Sequence, residues 1–449
     1  MQSERELPSV AFGSLETEEH LTAEQIEMRT QKLLAQLSLD EKLGMMSGDP
    51  SFWAGLNDML TGGYGGHPWV AGAIPRLGIP GIRFADGPRG IVMKGATTFP
   101  IPMARGATWD TALEERVGDA IGRELRALGG NFFGGVCINL LRHPAWGRAQ
   151  ETFGEDSYHL GRFGMALTNG VQRHAMACVK HFALNSMENA RFSVDVTIDA
   201  RALHEVYLPH FKHVVEAGVA AVMSAYNSVN GMWAGQNATL LSTILKGQWS
   251  FKGFVMTDFF FGIRDAKTAV LAGQDVEMPF QLHFHQHLTS LVESGVVPME
   301  RIDDAALRLL RQQVRFGQGR KRDDYTPDLV GSSEHRILAR EVAQKSIVLL
   351  KNEQQTLPLV RVKQLAVIGK LADTPNTGDR GSSNTLPASV VTPLQGIEAA
   401  IGDEAHVTYS NGSDLVQAVE VAHNADAVVL VVGYTHKDEG ETNCFQKRA

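Results

Sequence analysis

Short apolar runs that stop on a polar or ionisable residue recur along this chain. Gly253 to Thr257 stops on Asp258 and is followed by three aromatics, Phe259, Phe260 and Phe261. Gly81 to Ala85, apolar apart from Arg83, stops on Asp86, and Asn131 to Ile138 leads to Asn139, Arg142 and His143. Ala177 to Val179 leads to Lys180 and His181, Ala220 to Met223 leads to Tyr226 and Asn227, and Gln274 to Met278 carries Asp275 and Glu277. A buried β-strand reads as such a run. The intervening stretches, such as Thr111 to Gly129 and Arg201 to Gly218, are long enough for crossover helices. The pattern predicts an α/β fold, a (β/α)8-type TIM barrel with its chemistry at the C-terminal ends of the strands. One Asp after one strand is equally well a turn opener or a helix cap. Repetition of the pattern makes Asp258 the first candidate nucleophile.

The barrel should begin soon after Ser38, which with Glu41 three residues on forms a capping box. Gly62 to Gly66 reads as a flexible loop with a structural role, too irregular to cradle a phosphate. The helical pattern Arg301 to Phe316 ends in a glycine-rich, mixed-charge stretch from Gly317 to Asp324, which reads as a linker. Beyond it the chain predicts a helix over Ile337 to Leu350, a strand over Leu365 to Gly369, a helix over Leu394 to Ile401 and a strand over Ala425 to Gly433. The implied division is an N-terminal segment 1–38, a barrel 39–316, a linker 317–335 and an open α/β sandwich domain 336–449. Thr442 to Ala449 shows no periodicity, so this second domain is expected to be incomplete, truncated or covered by a partner such as a second copy in a homo-oligomer.

Composition narrows the classes. Hydrophobic content of 43% and charged content of 20% are those of an ordinary globular protein, and the net charge of −8 supplies no basic footprint for nucleic acid. The three cysteines, Cys137, Cys178 and Cys444, form neither a disulfide framework nor a zinc spacing. Met1 to Thr22 has no apolar core of a secretory signal, which reads as cytoplasmic unless a leader has been trimmed. No stretch is apolar for the roughly 18–20 residues of a membrane span, and no membrane partner is expected. His283, His285 and His287 alternate without a carboxylate at ligand spacing and fit a helix start better than a metal site.

The segment Arg142-His143-Pro144-Ala145-Trp146-Gly147-Arg148-Ala149-Gln150-Glu151-Thr152-Phe153-Gly154-Glu155-Asp156 resembles family 3 glycoside hydrolases, the β-glucosidase and β-xylosidase group. Phe84 to Pro88, Lys180 to Ala183 with Arg191 to Asp195, Met223 to Gly231, and Gly253 to Asp258 agree with that resemblance in order, across roughly residues 30 to 440. The resemblance implies a retaining exo-β-glycosidase, most readily a β-glucosidase, that needs no cofactor and no metal and forms a covalent intermediate on Asp258. It implies that Asp86, Arg148, Lys180, His181, Arg191 and Tyr226 hold the terminal sugar, and Met223 would pack on the ring. The residue types suit that work. A carboxylate accepts from vicinal hydroxyls, while Lys and Arg donate and keep neighbouring carboxylates ionised. Phe259 stands where many relatives have Trp, keeping a stacking face and losing the indole N–H. Lys180-His181-Phe182-Ala183-Leu184 departs from the segment of relatives that cleave N-acetylglucosaminides.

Taken singly, each of these residues has a structural explanation; Arg148 and Glu151, for instance, could be a surface i,i+3 pair. The proton donor is the less defined position. Retaining hydrolysis needs a second carboxyl about 5–5.5 Å from the first, which the resemblance places on a loop of the second domain. Glu439, before Gly440, is the best match, with Glu441 as runner-up. Two other readings stand beside the hydrolase: a sugar-binding protein with impaired catalysis because the second domain is cut short, and a phosphorolytic transferase.

Overall fold

The computed structural model describes Leu15 and residues 20–318, 324–378, 381–438 and 440–441. The central sheet has six strands, β1 (Trp69–Ala71), β2 (Ile82–Ala85), β3 (Phe132–Cys137), β4 (Met176–Phe182), β5 (Ala221–Ser224) and β6 (Phe254–Met256), adjacent in that order. From β2 to β6 all pairs are parallel, whereas β1 runs antiparallel to β2. This corrects the expectation of eight parallel strands. Only residues 72–81 link β1 to β2, and a parallel crossover takes a dozen residues or more. Isolated bridges continue the pattern beyond the sheet's ends, where Met256 pairs with Val276, Ser47 with Glu277 and Gly48 with Ala71.

Alternation along the strands divides the core. Phe84, Phe132, Cys178, Ala221, Phe254 and Met256 face an inner cluster, while Ala85, Phe133, Val179, Val222 and Val255 face the helices outside. Each large apolar side chain fully buried here contributes about 1.5–3 kcal/mol. That sum holds the polar strand ends in place against the desolvation they suffer there.

The outer helices start where the sequence provides caps. Asp110 accepts from Leu113 N at 2.9 Å to open Thr111–Ala127, and Asp156 accepts from His159 N at 2.7 Å to open Ser157–Gln172. These two helices pack backbone to backbone at Gly118 and Gly170, where a Cβ would lie 2.5 Å from Leu167 O and 2.1 Å from Glu115 O. The expected crossover after Arg201 is broken into a helical turn, a π-helical turn Leu203–Tyr207 and a helix Pro209–Glu216. Pro209 has no N–H to continue a ladder and is suited to a first helical position.

The helix Met299–Gly317 closes the first domain, and Ala23–Leu34 packs on the same core through Leu33 and Leu34. The next helix ends at Lys345, not at Leu350; Ile347 to Leu350 are apolar but exposed, so no packing extends the helix over them. Although it follows the linker, this helix docks on the first domain, with Leu338 and Val342 in its core and His335 Nδ1 2.7 Å from Glu124 Oε1. The second domain is built on a parallel three-stranded sheet of β7 (Gln364–Ile368), β8 (His406–Ser410) and β9 (Ala427–Leu430), with β7 central. Its helix Pro393–Ile401 falls where the pattern put it, whereas β8 and the helix Leu415–His423 were not anticipated. Leu386 and Pro387 of this domain pair with Lys94 and Gly95 of the first, and Thr98 donates to Thr385 at 2.7 Å. The cleft lies along this seam.

Candidate active site

The end of β6 delivers Asp258 into the cleft. Its Oδ1 accepts from the next backbone N–H, Phe259 N, at 2.8 Å, while Oδ2 is buried and has no hydrogen-bond partner of good geometry among the described residues. Burial pushes the Asp258 carboxyl up, Arg191, Arg148 and Lys180 pull it down, and Glu441 adds to the rise; the net direction is upward. Tyr226, at the end of β5, directs its hydroxyl to Phe259 O at 2.8 Å.

The end of β2 supplies Asp86, whose Oδ1 accepts from Gly87 N at 2.8 Å and Lys180 Nζ at 2.6 Å, and whose Oδ2 accepts from Tyr64 OH at 2.9 Å. Gly87 must be glycine, since at φ +138° a Cβ would lie 1.7 Å from Gly90 O. Burial would lower the Lys180 ammonium, but Asp86 and Glu151 outweigh it, so its pKa rises and it stays charged. Burial and Asp86 push the Tyr64 phenol up, which keeps it a donor. A carboxylate offers about four lone pairs, and three of those on Asp86 are taken. One remains for a ligand hydroxyl, together with two N–H groups of Lys180.

Arg148 is fully buried rather than a surface residue. Its Nε and Nη2 grip Glu151 at 3.0 and 2.7 Å, Nη2 also reaches Ser382 Oγ at 3.2 Å, and Nη1 lies 3.0 Å from His181 Nε2. His181, at the end of β4, is held from the other side by Asn139, whose Oδ1 lies 2.8 Å from Nδ1. Burial and the cations Arg148, Lys180 and Arg191 push the His181 imidazole well below its usual range, so it is neutral. Its Nε2 is 3.6 Å from Asp258 Oδ2, too far for a hydrogen bond.

Arg191 joins Glu188 at 2.8 Å and Glu441 at 2.9 Å, and its guanidinium lies 4.7 Å from the Tyr226 ring centroid. Glu441 also approaches Arg148 at 3.6 Å and accepts from Ser382 N at 2.7 Å. Burial would raise its carboxyl, but the two guanidiniums and the Ser382 N–H override this and hold it far below the usual carboxylate range. Glu441 is a fixed anion, and with Gly381 and Ser382 it makes up the second domain's share of the site among the described residues.

Together these groups line one cleft of about 370 Å³, within the size range of small-molecule sites. Asp86, Arg148, Lys180, His181, Arg191, Met223, Tyr226, Asp258 and Phe259, all anticipated from sequence, meet there, as does the runner-up Glu441. Glu439 and Cys444 lie outside the described residues. Sequence reasoning missed Met59, Phe192 and Ser382, and it gave Tyr64 only a loop's structural role. Tyr64 instead donates into the cleft, and the one available signal was an aromatic flanked on both sides by Gly-Gly. His283, His285 and His287 do sit at a helix start, that of His283–Glu293. Among the described residues no group of three or more His, Cys, Asp or Glu side chains is arranged to hold a metal, and no helix is long and apolar enough to cross a membrane.

The architecture is that of a two-domain α/β protein whose polar cleft sits at the ends of parallel strands and is finished by the second domain. Glycosyl hydrolase family 3 N terminal domain matches residues 71–312, and its C-terminal domain matches residues 347–446. Thermostable beta-glucosidase B of Acetivibrio thermocellus is 32% identical over 437 residues, covering 91% of this chain and 55% of that protein. The beta-glucosidase of Rhizobium radiobacter is 33% identical over 401 residues, covering 87% of this chain and 47% of that one. The structure of beta-glucosidase 3B from Thermotoga neapolitana in complex with alpha-D-glucose superposes with a TM-score of 0.79 at 26% identity, over 92% of this chain and 63% of that one. DesR, a beta-glucosidase from Streptomyces venezuelae in complex with D-glucose, gives 0.77 at 34% identity, over 86% and 50%. This chain belongs to glycosyl hydrolase family 3. It spans about half the length of the curated relatives it matches.

Proposed function

We propose that the cleft is the site of a retaining, exo-acting β-glucosidase that removes terminal non-reducing β-D-glucosyl residues through a glucosyl ester on Asp258. The supporting observation is Asp258 Oδ2, a buried carboxylate oxygen with no hydrogen-bond partner of good geometry among the described residues, set among Asp86, Lys180 and Tyr226. An unpartnered oxygen keeps its lone pair for attack on an anomeric carbon. The free lone pair of Asp86 and the free N–H groups of Lys180 suit two ring hydroxyls, and Met223 offers the ring an apolar face. Arg148, with most of its N–H groups committed, acts through charge. The relatives named beta-glucosidase favour glucose as the sugar. We also read the bridges at residues 47–48 and 276–277 as two short staves completing an eight-membered barrel.

Glu439 is our proton donor. It protonates the leaving oxygen as the C–O bond breaks, then activates the water that cleaves the ester. Glu441, held as an anion by two arginines, is the poorer acid and serves as a clamp. The test is a screen of nitrophenyl glycosides against the wild type and Asp258→Asn. Turnover of the β-glucoside that the variant lacks supports the assignment, while activity in the variant above a few per cent overturns it.

A further inference from the structure

Three hydrogen bonds tie Asn139, just past β3, to His181 at the end of β4. Asn139 Oδ1 accepts from His181 N at 2.9 Å and sits 2.8 Å from Nδ1, while Asn139 Nδ2 donates to His181 O at 3.0 Å. The two backbone bonds decide which way the amide points. Were it flipped, NH2 would face an N–H and the oxygen would face a carbonyl, two repulsions in place of two bonds. With the amide so fixed, Oδ1 can only accept from the ring, so Nδ1 carries the proton. Nε2 is left as a lone pair, and Arg148 Nη1 fills it at 3.0 Å. Thr152 Oγ1 donates to Asn139 O at 2.6 Å, and Asn139 is fully buried, which holds the arrangement rigid.

We propose that Asn139 is a positioning residue that fixes the His181 tautomer and so prevents His181 from donating to the nucleophile Asp258. The other tautomer, or the imidazolium, would carry a proton on Nε2, the nitrogen 3.6 Å from Asp258 Oδ2. A small shift would convert that approach into a charge-assisted bond, tying up the lone pair that attacks. The charged groups facing the ring are Arg148, Lys180 and Arg191 on the cationic side and Asp258 on the anionic side. The three cations disfavour the imidazolium. Asn139 and Arg148 set the choice between neutral tautomers from opposite sides: the amide oxygen requires the proton on Nδ1, and Arg148 Nη1, which can only donate, requires the lone pair on Nε2. The role in attack rests on the proposed function; the tautomer does not.

The experiment reads both. Histidine-selective 15N labelling of the full chain, with the His181 signal assigned by its loss in His181→Gln, should show a protonated Nδ1 and an unprotonated Nε2. Asn139→Asp replaces the neutral acceptor with a carboxylate that favours the imidazolium. The acid limb of kcat/KM should then move up by about one pH unit or more, a loss of about tenfold on that limb, with recovery at higher pH. Asn139→Leu removes the acceptor and should lose activity at all pH values without such recovery. A wild-type signal protonated on Nε2, or an acid limb unmoved in Asn139→Asp, overturns the proposal. If Asn139→Asp does not fold, the wild-type spectrum decides. A wild type that shows the Nδ1 proton yet cleaves no β-glucoside defeats the proposed function while leaving the tautomer assignment standing.

Discussion

Replacing Glu441 by glutamine separates proton donation from clamping. Its Oε1 lies 2.9 Å from Arg191 Nη1, and its Oε2 accepts from Ser382 N at 2.7 Å. An amide has one acceptor oxygen, so whichever way Gln turns, its NH2 faces one of these donors. The substitution therefore removes one charge-assisted bond, about 1.5–3 kcal/mol, or about ten- to 150-fold. The clamp acts on Arg191 and Arg148 whatever the aglycone, so kcat/KM should fall by a similar factor for cellobiose and for aryl β-glucosides of graded leaving-group pKa. Plotted against that pKa, the variant's line should lie below the wild-type line and parallel to it. A general acid behaves otherwise, because only a poor leaving group needs protonation, and its loss steepens the line. If the loss on cellobiose exceeds the loss on a dinitrophenyl glucoside by more than about 30-fold, Glu441 is the proton donor and the clamp argument is wrong.

Glu439→Ala should show that steeper line, with a drop of about 10²–10⁴ on cellobiose and partial rescue of the aryl rate by azide; equal losses on both substrates would remove it from the role. Lys180→Ala should raise KM and lower kcat together, since bonds to ring hydroxyls strengthen as positive charge develops, and unchanged kinetics would show that its free N–H groups do not meet the sugar. Asp258→Asn should abolish turnover and raise Tm at pH 7. The sign follows from a pKa raised chiefly by burial: between its ordinary and its raised value the folded chain binds more protons than the unfolded one, so stability falls as pH climbs through that window, and the cost persists above it. A Tm at pH 7 unchanged or lowered in Asp258→Asn would contradict the raised pKa. The same direction places the acid limb of wild-type kcat/KM above the usual carboxylate range, which a pH–rate profile measures.

Part of the cleft was legible because its residues terminate apolar runs, and strand period and strand end are both local properties. Asp86, Lys180, Tyr226 and Asp258 are of this kind, whereas Arg148 and Arg191 were reached only through the family resemblance. Tyr64 was not legible, because a glycine-rich run signals only a loop, and its reach to Asp86 depends on how that loop crosses the sheet. Glu441 appeared in the sequence as an acidic loop residue, but its role as a fixed anion depends on Arg148 and Arg191, which are distant in sequence. The antiparallel β1 was not anticipated, because three residues are too few to show a strand's period. Ile347 to Leu350 read as helical on hydrophobicity alone, and among the described residues they are left exposed.

The seam between the domains has a consequence for how the protein is made. Asp86, Lys180 and Asp258 belong to the part of the chain synthesised first, and domains fold as units, N-terminal first, during synthesis. Ser382 and Glu441 arrive later. Until they dock, the anions gripping Arg148 and Arg191 are Glu151 and Glu188 alone, so on the proposed function the nascent chain passes through a stage that has its nucleophile but not its clamp. On the proposed function, the order of translation separates a pocket that would hold a sugar from one that would cleave its bond, and hydrolysis would read out the second domain's arrival.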